Sequence, residues 1–316
     1  KALEYYEQCL KICREIGEKT GEGTTLNNIG LIYKAWGKYD KALEYISQSL
    51  EIRKKVGDRV GEGGTLNNIG MIHGAWGKYD EALKYYDQSR EIFQETGNRM
   101  EEGITLNNIG MIHEAWGKFE KALEYLEQSL EIRREVGDRA GEGTTLNNIG
   151  MIYKTWGKHI KALEYYNQSL EILQETGNRA EEGATLNNIG MIYKTWGKYN
   201  EALEYYEKSL EIRRKVGDRV GEGTTLNNIA NIYGAWEKYE KALEYYEKSL
   251  KIFQETGKRA EEAVTRFNIA VIYKKQNRFP EAIKMVEITV AIDRETRHPN
   301  LESDIAYLER LRKKLP

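Results

Sequence analysis

Asparagine pairs supply the first chemistry legible in this chain. Asn27-Asn28 returns as Asn67-Asn68, Asn107-Asn108, Asn147-Asn148, Asn187-Asn188 and Asn227-Asn228. A carboxamide offers both a donor and an acceptor, so a row of them can pair with the backbone of an extended peptide whatever its side chains. Other reactive residues are sparse. The two cysteines, Cys9 and Cys13, stand one helical turn apart and read as reduced thiols, not as a disulfide framework or a metal site. His73 and His113 replace a tyrosine of an apolar stripe, His159 replaces a turn tyrosine, and His298 precedes Pro299. All four read as structural. Carboxylates are plentiful, but they recur on solvated helix faces without the paired, desolvated setting that acid–base work requires. No catalytic residue, cofactor or metal is expected, and the chain reads as a non-enzyme.

The elements that position these amides follow from a fixed period. Thr25-Leu26-Asn27-Asn28-Ile29-Gly30 returns every 40 residues, and most intervening residues return with it. Such a period marks stacked units that each touch only their neighbours. Within a unit, Leu26, Ile29, Ile32, Tyr33 and Trp36 share one stripe at helical spacing. Ala42, Leu43, Ile46, Leu50 and Ile52 form the apolar face of a second helix from Tyr39 to Val56. Gly37 breaks the chain between the two helices, and Gly57 stands where a left-handed C-terminal cap is expected. The segment Gly57-Asp58-Arg59-Val60-Gly61-Glu62-Gly63 reads as a turn into the next unit. It lacks Gly-Lys-Ser/Thr and follows a helix, so it is no nucleotide loop. Mid-helix Gly30, Gly70, Gly110, Gly150 and Gly190 give way to Ala230 and Ala270. The requirement is therefore small size where helices close, not positive φ.

First helices are predicted near 22–36, 62–76, 102–116, 142–156, 182–196, 222–236 and 261–276. Residues 1–17 hold an orphan second helix, 18–297 hold seven 40-residue helix pairs, and 298–316 hold a capping helix. Asn300 is predicted to cap that last helix, which carries Leu301, Ile305, Leu308, Leu311 and Leu315. Leu3, Tyr6 and Leu10 are expected to leave an exposed apolar strip on the first helix, a route to self-association through residues 1–16. The linkers alternate, Val56-Gly57-Asp58-Arg59 against Thr96-Gly97-Asn98-Arg99, so the array repeats best at 80 residues. That period reads as duplication history.

Bulk properties exclude several partners. Lys plus Arg total 48 against 50 Asp plus Glu, a net charge of −2 in 316 residues. No basic excess draws the chain to nucleic acid or anionic membrane. No apolar run approaches the ~20 residues that span a bilayer. The expected location is cytoplasmic.

Ile29, Gly30, Tyr33, Gly37, Tyr39, Ala42 and Ile46 occupy the signature positions of tetratricopeptide repeats, and the resemblance covers nearly the whole chain. The long unit with Leu-Asn-Asn is similar to the repeats of kinesin light chains. Glu131 to Glu142 is similar to the linkers of Pins-type adaptors. Prokaryotic arrays attached to signalling ATPases look alike too. The resemblance implies an all-α, right-handed superhelical solenoid of antiparallel helix pairs that holds a peptide or protein segment in a concave groove.

In that fold Asn27, Asn67, Asn107, Asn147, Asn187 and Asn227 face the groove, as do the slots of Thr24 and Lys34. Both slots vary among otherwise copied units. The first reads Thr24, Gly64, Ile104, Thr144, Ala184, Thr224 and Val264. The second reads Lys34, Gly74, Glu114, Lys154, Lys194, Gly234 and Lys274. Met71, Met111, Met151 and Met191 follow one turn after the asparagines, either lining the groove floor or packing between helices. Asn28 and its equivalents are expected to bond backbone or a neighbouring unit. Two other roles stay open, the sensor arm of a larger signalling ATPase or protease and a self-associating solenoid. RNA binding is disfavoured by the missing basic stripe.

Overall fold

Several helices in this chain start at a short polar side chain that follows a left-handed glycine, while others start at a lysine whose side chain caps nothing. In the computed structural model, Gly57 has φ 74° and ends one helix, and Asp58 Oδ1 then accepts from Gly61 N at 2.9 Å to start the next. Asp138 and Asp218 repeat this cap at 2.9 Å, and Asn98 caps its helix at 3.3 Å. The glycine-rich linker predicted as a turn is therefore mostly helical. Only Gly57 and Asp58 turn, and the first helix begins at Arg59, three residues before the expected start.

The structure describes residues 1–296 and 298–314. Among them are α1 (Ala2–Ile16), α2 (Lys19–Ala35), α3 (Tyr39–Val56), α4 (Arg59–Ala75), α5 (Tyr79–Glu95), α6 (Arg99–Ala115), α7 (Phe119–Glu135), α8 (Arg139–Thr155), α9 (His159–Thr176), α10 (Arg179–Thr195), α11 (Tyr199–Val216), α12 (Arg219–Ala235), α13 (Tyr239–Thr256), α14 (Arg259–Lys275), α15 (Phe279–Thr296) and α16 (Leu301–Arg312). Even-numbered helices from α2 to α14 carry the asparagines. The chain divides into two compact units, Lys1–Tyr165 and Tyr166–Pro316, with the boundary inside α9.

Within each unit the pairs stack in chain order. In the first unit α2 touches α4, α4 touches α6, and α6 touches α8. In the second, α10 touches α12 and α12 touches α14. Among the described residues the second helices α3 and α5, or α11 and α13, make no such approach. Closer spacing on one side bends a stack toward that side, so each unit curves toward its first helices.

The mid-helix glycines answer to space, as predicted. A Cβ on Gly30 would stand 2.3 Å from Ile46 Cγ1 and 3.0 Å from the Ala42 carbonyl, and one on Gly190 would stand 2.7 Å from the Tyr206 ring. The turn glycines differ, since Gly37 has φ 69°. Glu237 and Asn277 hold the same left-handed conformation in later pairs, at 58° and 60°.

Two buried polar contacts recur in each pair. Ser49 Oγ donates to the Gly23 carbonyl at 2.7 Å, and Ser89, Ser129, Ser209 and Ser249 do the same in theirs. A buried glutamate on each first helix is clamped by arginine. Arg99 reaches Glu102 at 2.5 Å and, from the same guanidinium, Glu135 at 2.6 Å. Fully formed pairs of this kind avoid the penalty of a lone buried charge.

Three expectations need correction. Trp36 is 53 % exposed instead of sharing the buried stripe; later tryptophans lie against a ring of the preceding pair, as Trp76 does on Tyr39 and Trp156 on Phe119, whereas Trp36 meets Tyr33 of its own helix edge-on. The tryptophan rings are instead covered from the turn side, as where Lys118 Nζ sits 3.1 Å from the Trp116 ring centre. Leu10 is buried and Leu3 and Tyr6 pack with it against Leu26 and Ile29; the exposed apolar residues of α1 are Tyr5, Ile12 and Ile16. Asn300 stands at the cap of α16 but its side chain caps nothing. Ser303 Oγ donates to the Asn300 carbonyl instead, at 2.7 Å. Leu315 lies outside the described residues.

Candidate functional site on the first-helix face

The asparagines meet one another. Asn68 Nδ2 donates to Asn27 Oδ1 at 2.9 Å, Asn108 to Asn67 at 3.1 Å, and Asn148 to Asn107 at 2.9 Å. In the second unit Asn228 donates to Asn187 at 3.0 Å and Asn268 to Asn227 at 3.1 Å. The second asparagine of these five repeats thus ties a neighbour, as expected. The first asparagine does not project its oxygen into open space; it receives that tie. Asn67, Asn147 and Asn187 are also buried. Asn227 Nδ2 goes to Thr265 Oγ1 at 3.2 Å, and the Asn67 and Asn187 amides approach the sulfurs of Met71 and Met191. Asn27 and Asn107 stay half-buried. Their Nδ2 atoms make no hydrogen bond among the described residues.

The methionines occupy a middle position. Met71, Met111, Met151 and Met191 are all half-buried, and Met71 packs against the core of Ala82, Tyr86, Ile109 and Ile112. Met191 packs against the core containing Ala202, Tyr206 and Ile229. In the same slot Asn231 accepts from the buried Tyr246 hydroxyl at 2.8 Å. Tyr206, whose slot partner is Met191, has a buried hydroxyl without a partner among the described residues.

Lys34, Glu114 and Lys154 in the first unit and Lys194 in the second are half-buried on their first helices. Burial pushes the ammonium pKa of Lys34 and Lys194 down from the ordinary value, and does so for Lys154 against the opposing pull of Glu114. Glu114 also accepts from Thr155 Oγ1 at 3.3 Å. Variation in this slot is partly dictated by packing. A Cβ at Gly74 would stand 2.6 Å from Ile112 Cδ1, and one at Gly234 would stand 2.9 Å from Ile272 Cδ1.

Cavities open where the Thr24 slot varies. In the first unit a polar cavity of about 210 Å³ is lined by Asn27, Arg53, Gly64, Asn67, Asn68 and Glu101. Gly64 leaves it open, since a Cβ there would meet nothing within 4 Å. In the second unit a larger cavity, about 440 Å³, lies among Thr224, Asn227, Asn228, Asn231, Phe253, Glu261, Val264 and Asn268. Arg53 and Glu261 were not singled out in the sequence. Their signal was the 80-residue alternation, which has a packing cause besides its history. Arg53 Nη1 pairs with Asp58 Oδ2 at 2.6 Å, and a Cβ on residue 61 would fall 1.7 Å from that nitrogen. Arginine, aspartate and glycine therefore travel together at 53, 58 and 61, at 133, 138 and 141, and at 213, 218 and 221. The alternate units carry Phe93, Asn98 and Glu101, or Leu173, Asn178 and Glu181.

A family model described as tetratricopeptide repeat matches residues 1–55, 62–135, 124–175, 141–215, 181–255 and 221–295. The chain belongs to the tetratricopeptide repeat family, and that membership supports a protein-interaction scaffold. No curated protein matches it. Among solved structures it resembles BtubC (BKLC) from P. vanneervenii, with 20 % identity, a TM-score of 0.59, and coverage of 68 % of this chain and 91 % of that one. The Rap conjugation gene regulator of plasmid pLS20, solved in complex with the Phr* peptide, gives 14 % identity and a TM-score of 0.65, covering 89 % of this chain and 75 % of that one. A signal transduction ATPase with numerous domains from Pyrococcus horikoshii, which carries a tetratricopeptide repeat sensor, gives 17 % identity and a TM-score of 0.66. This chain is covered over 98 % of its length there but spans only 49 % of that protein. These likenesses are of fold. No helix among the described residues is long and apolar enough to cross a membrane.

Proposed function

We propose that the chain binds an extended peptide or protein segment along the first-helix face and does no chemistry on it. The observation that carries this reading is the coincidence of the cavities with the slot that varies between nearly copied units, at Gly64, Thr224 and Val264. Pockets holding alternate side chains give specificity, while hydrogen bonds to the guest backbone give affinity. The asparagine ladder takes a reduced part. Asn27 and Asn107 offer Nδ2 donors to guest carbonyls, whereas Asn67, Asn147, Asn187 and Asn227 mainly hold the helices in register. Lys34, Lys154 and Lys194 add a mild preference for acidic residues, tempered by Glu114. Met71, Met111, Met151 and Met191 supply an adaptable floor through their half-exposed parts.

Selection of displayed peptides on the full chain, followed by calorimetry, tests this. A dissociation constant near 1 μM, about −8 kcal/mol, is expected. Gly64→Trp and Thr224→Trp fill the two cavities from accessible positions, and each should weaken binding about tenfold or more by displacing a side chain worth at least 1.4 kcal/mol. Unchanged affinity in both variants refutes the assignment. A second reading, the sensor arm of a larger signalling ATPase, is favoured by the likeness to the P. horikoshii protein. It is compatible with the same face acting as the receptor.

A further inference from the structure

The last helix pair and α16 enclose a smaller cavity of about 120 Å³. Val264 and Asn268 line both this cavity and the 440 Å³ one, so the two adjoin. One side is apolar, formed by Val264 and Phe267. The other is acidic. Asp293 is 1 % exposed, and with both carboxyls ionised its Oδ2 has no hydrogen-bond donor among the described residues. Its Oδ1 lies 3.8 Å from His298 Nδ1. Asp304 faces the same space from α16, its pKa pushed up to about 6 by burial and then by the hydrogen bond that a shared proton makes with the Asp293 carboxyl. Once that shared proton is lost, the paired carboxylates lack the donor that such groups ordinarily have.

The repeat register explains the deficit. Asp293 stands in the slot of Arg53, Arg133 and Arg213, and His298 stands in the slot of Asp58, Asp138 and Asp218. Every second earlier pair brings its own cation to this place, and the pairs between carry Phe93, Leu173 or Phe253. The last one sets two carboxyls, Asp293 and Asp304, against the single imidazole of His298 and brings no arginine.

We propose that this cavity receives the ammonium tip of a lysine side chain carried by the bound peptide, an inference that rests on the peptide-binding reading above. The ammonium donates to Asp293 Oδ2 and to the Asp304 carboxylate. The methylene stem lies along Val264 and Phe267. A compact ammonium with three donors from one atom suits acceptors from separate helices better than the planar fork of a guanidinium.

Methyl-labelled Ala263 and Val264 report on the cavity by NMR in the full chain, with n-butylammonium as probe and 1-butanol as its neutral isostere. Butylammonium should shift both methyls saturably, with butanol about tenfold weaker because it forms no charge-assisted hydrogen bonds. Asp304→Asn should remove the difference between the probes. Because that change could unsettle α16, Val264→Arg serves as a second variant at an exposed position. Its own cation should abolish the butylammonium response at Ala263 while helix content is unchanged. Equal responses to the two probes, or full binding in both variants, overturns the proposal. A selected peptide that binds equally after its lysine becomes norleucine overturns the lysine assignment alone. Butylammonium binding by a chain that captures no peptide would instead refute the reading of function and, with it, the peptide as the source of the lysine.

Discussion

Asn228 Nδ2 donates to Asn187 Oδ1 at 3.0 Å, joining the first helices of consecutive units through their side-chain amides. Asn187 is itself buried, so the tie lies in a seam between helices. Replacing Asn187 by alanine strands the Asn228 donor, and leaving a buried donor unpaired costs about 1–3 kcal/mol. The urea midpoint of Asn187→Ala should fall accordingly. An unchanged midpoint would show that water replaces the tie without loss.

Arg213, Asp218 and Gly221 form one unit of packing. A Cβ at residue 221 would stand 1.6 Å from Arg213 Nη1, so Gly221→Ala must expel the guanidinium from its pairing with Asp218. The single substitution is expected to destabilise by about 2 kcal/mol or more, as overpacking and a broken ion pair do. In an Arg213→Leu background the same alanine still meets Asp218 Oδ2 at 2.0 Å, so its cost should shrink without vanishing. A double-mutant cycle without coupling would separate the two residues.

Tyr206 and Tyr246 have equivalent places and opposite surroundings. The Tyr206 hydroxyl is buried without a partner among the described residues, whereas that of Tyr246 donates to Asn231. Tyr206→Phe should leave the melting temperature unchanged or raise it, and Tyr246→Phe should lower stability by about 1 kcal/mol or more by stranding the Asn231 oxygen. Equal losses in the two variants would contradict this.

Burial holds the pKa of His73 and His113 below the ordinary 6.5. The unfolded chain then takes up protons first as pH falls through 6.5, so their contribution to stability is present above that pH and is lost below it. Lysine and arginine hydrogen bonds hold Glu22 below 4.5, and arginine hydrogen bonds do the same for Glu142 against the opposing pull of burial, so a second loss follows at lower pH. His73→Tyr combined with His113→Tyr restores the residue of other units and should flatten the fall in melting temperature between about pH 7 and 5. A profile identical to the parent would remove the histidines from the explanation.

Helices were legible wherever the apolar period was backed by a glycine break, which is why α3 runs over its predicted span, Tyr39 to Val56. Their starts were less so, because Asp58 caps a helix whose first turn is rich in glycine, and those glycines make room for Arg53 and for the Phe93 ring. Spacing placed Asn27 on the first-helix face, but it could not show that an amide 41 residues later would reach its oxygen. That contact depends on how closely adjacent first helices approach, as where Gly74 leaves room for Ile112 of the next one. The Asp293 cavity was hidden because its residues break the repeat pattern, and departures in a last unit read first as capping.

Photocrosslinking tests peptide binding on the first-helix face most directly. p-Benzoylphenylalanine at Thr224, beside the 440 Å³ cavity, or at Lys208, on the second-helix side, would be irradiated with a selected peptide. Crosslinks at position 224 that are competed by unlabelled peptide, with none at 208, are expected. Crosslinking confined to position 208 would contradict the assignment of the first-helix face.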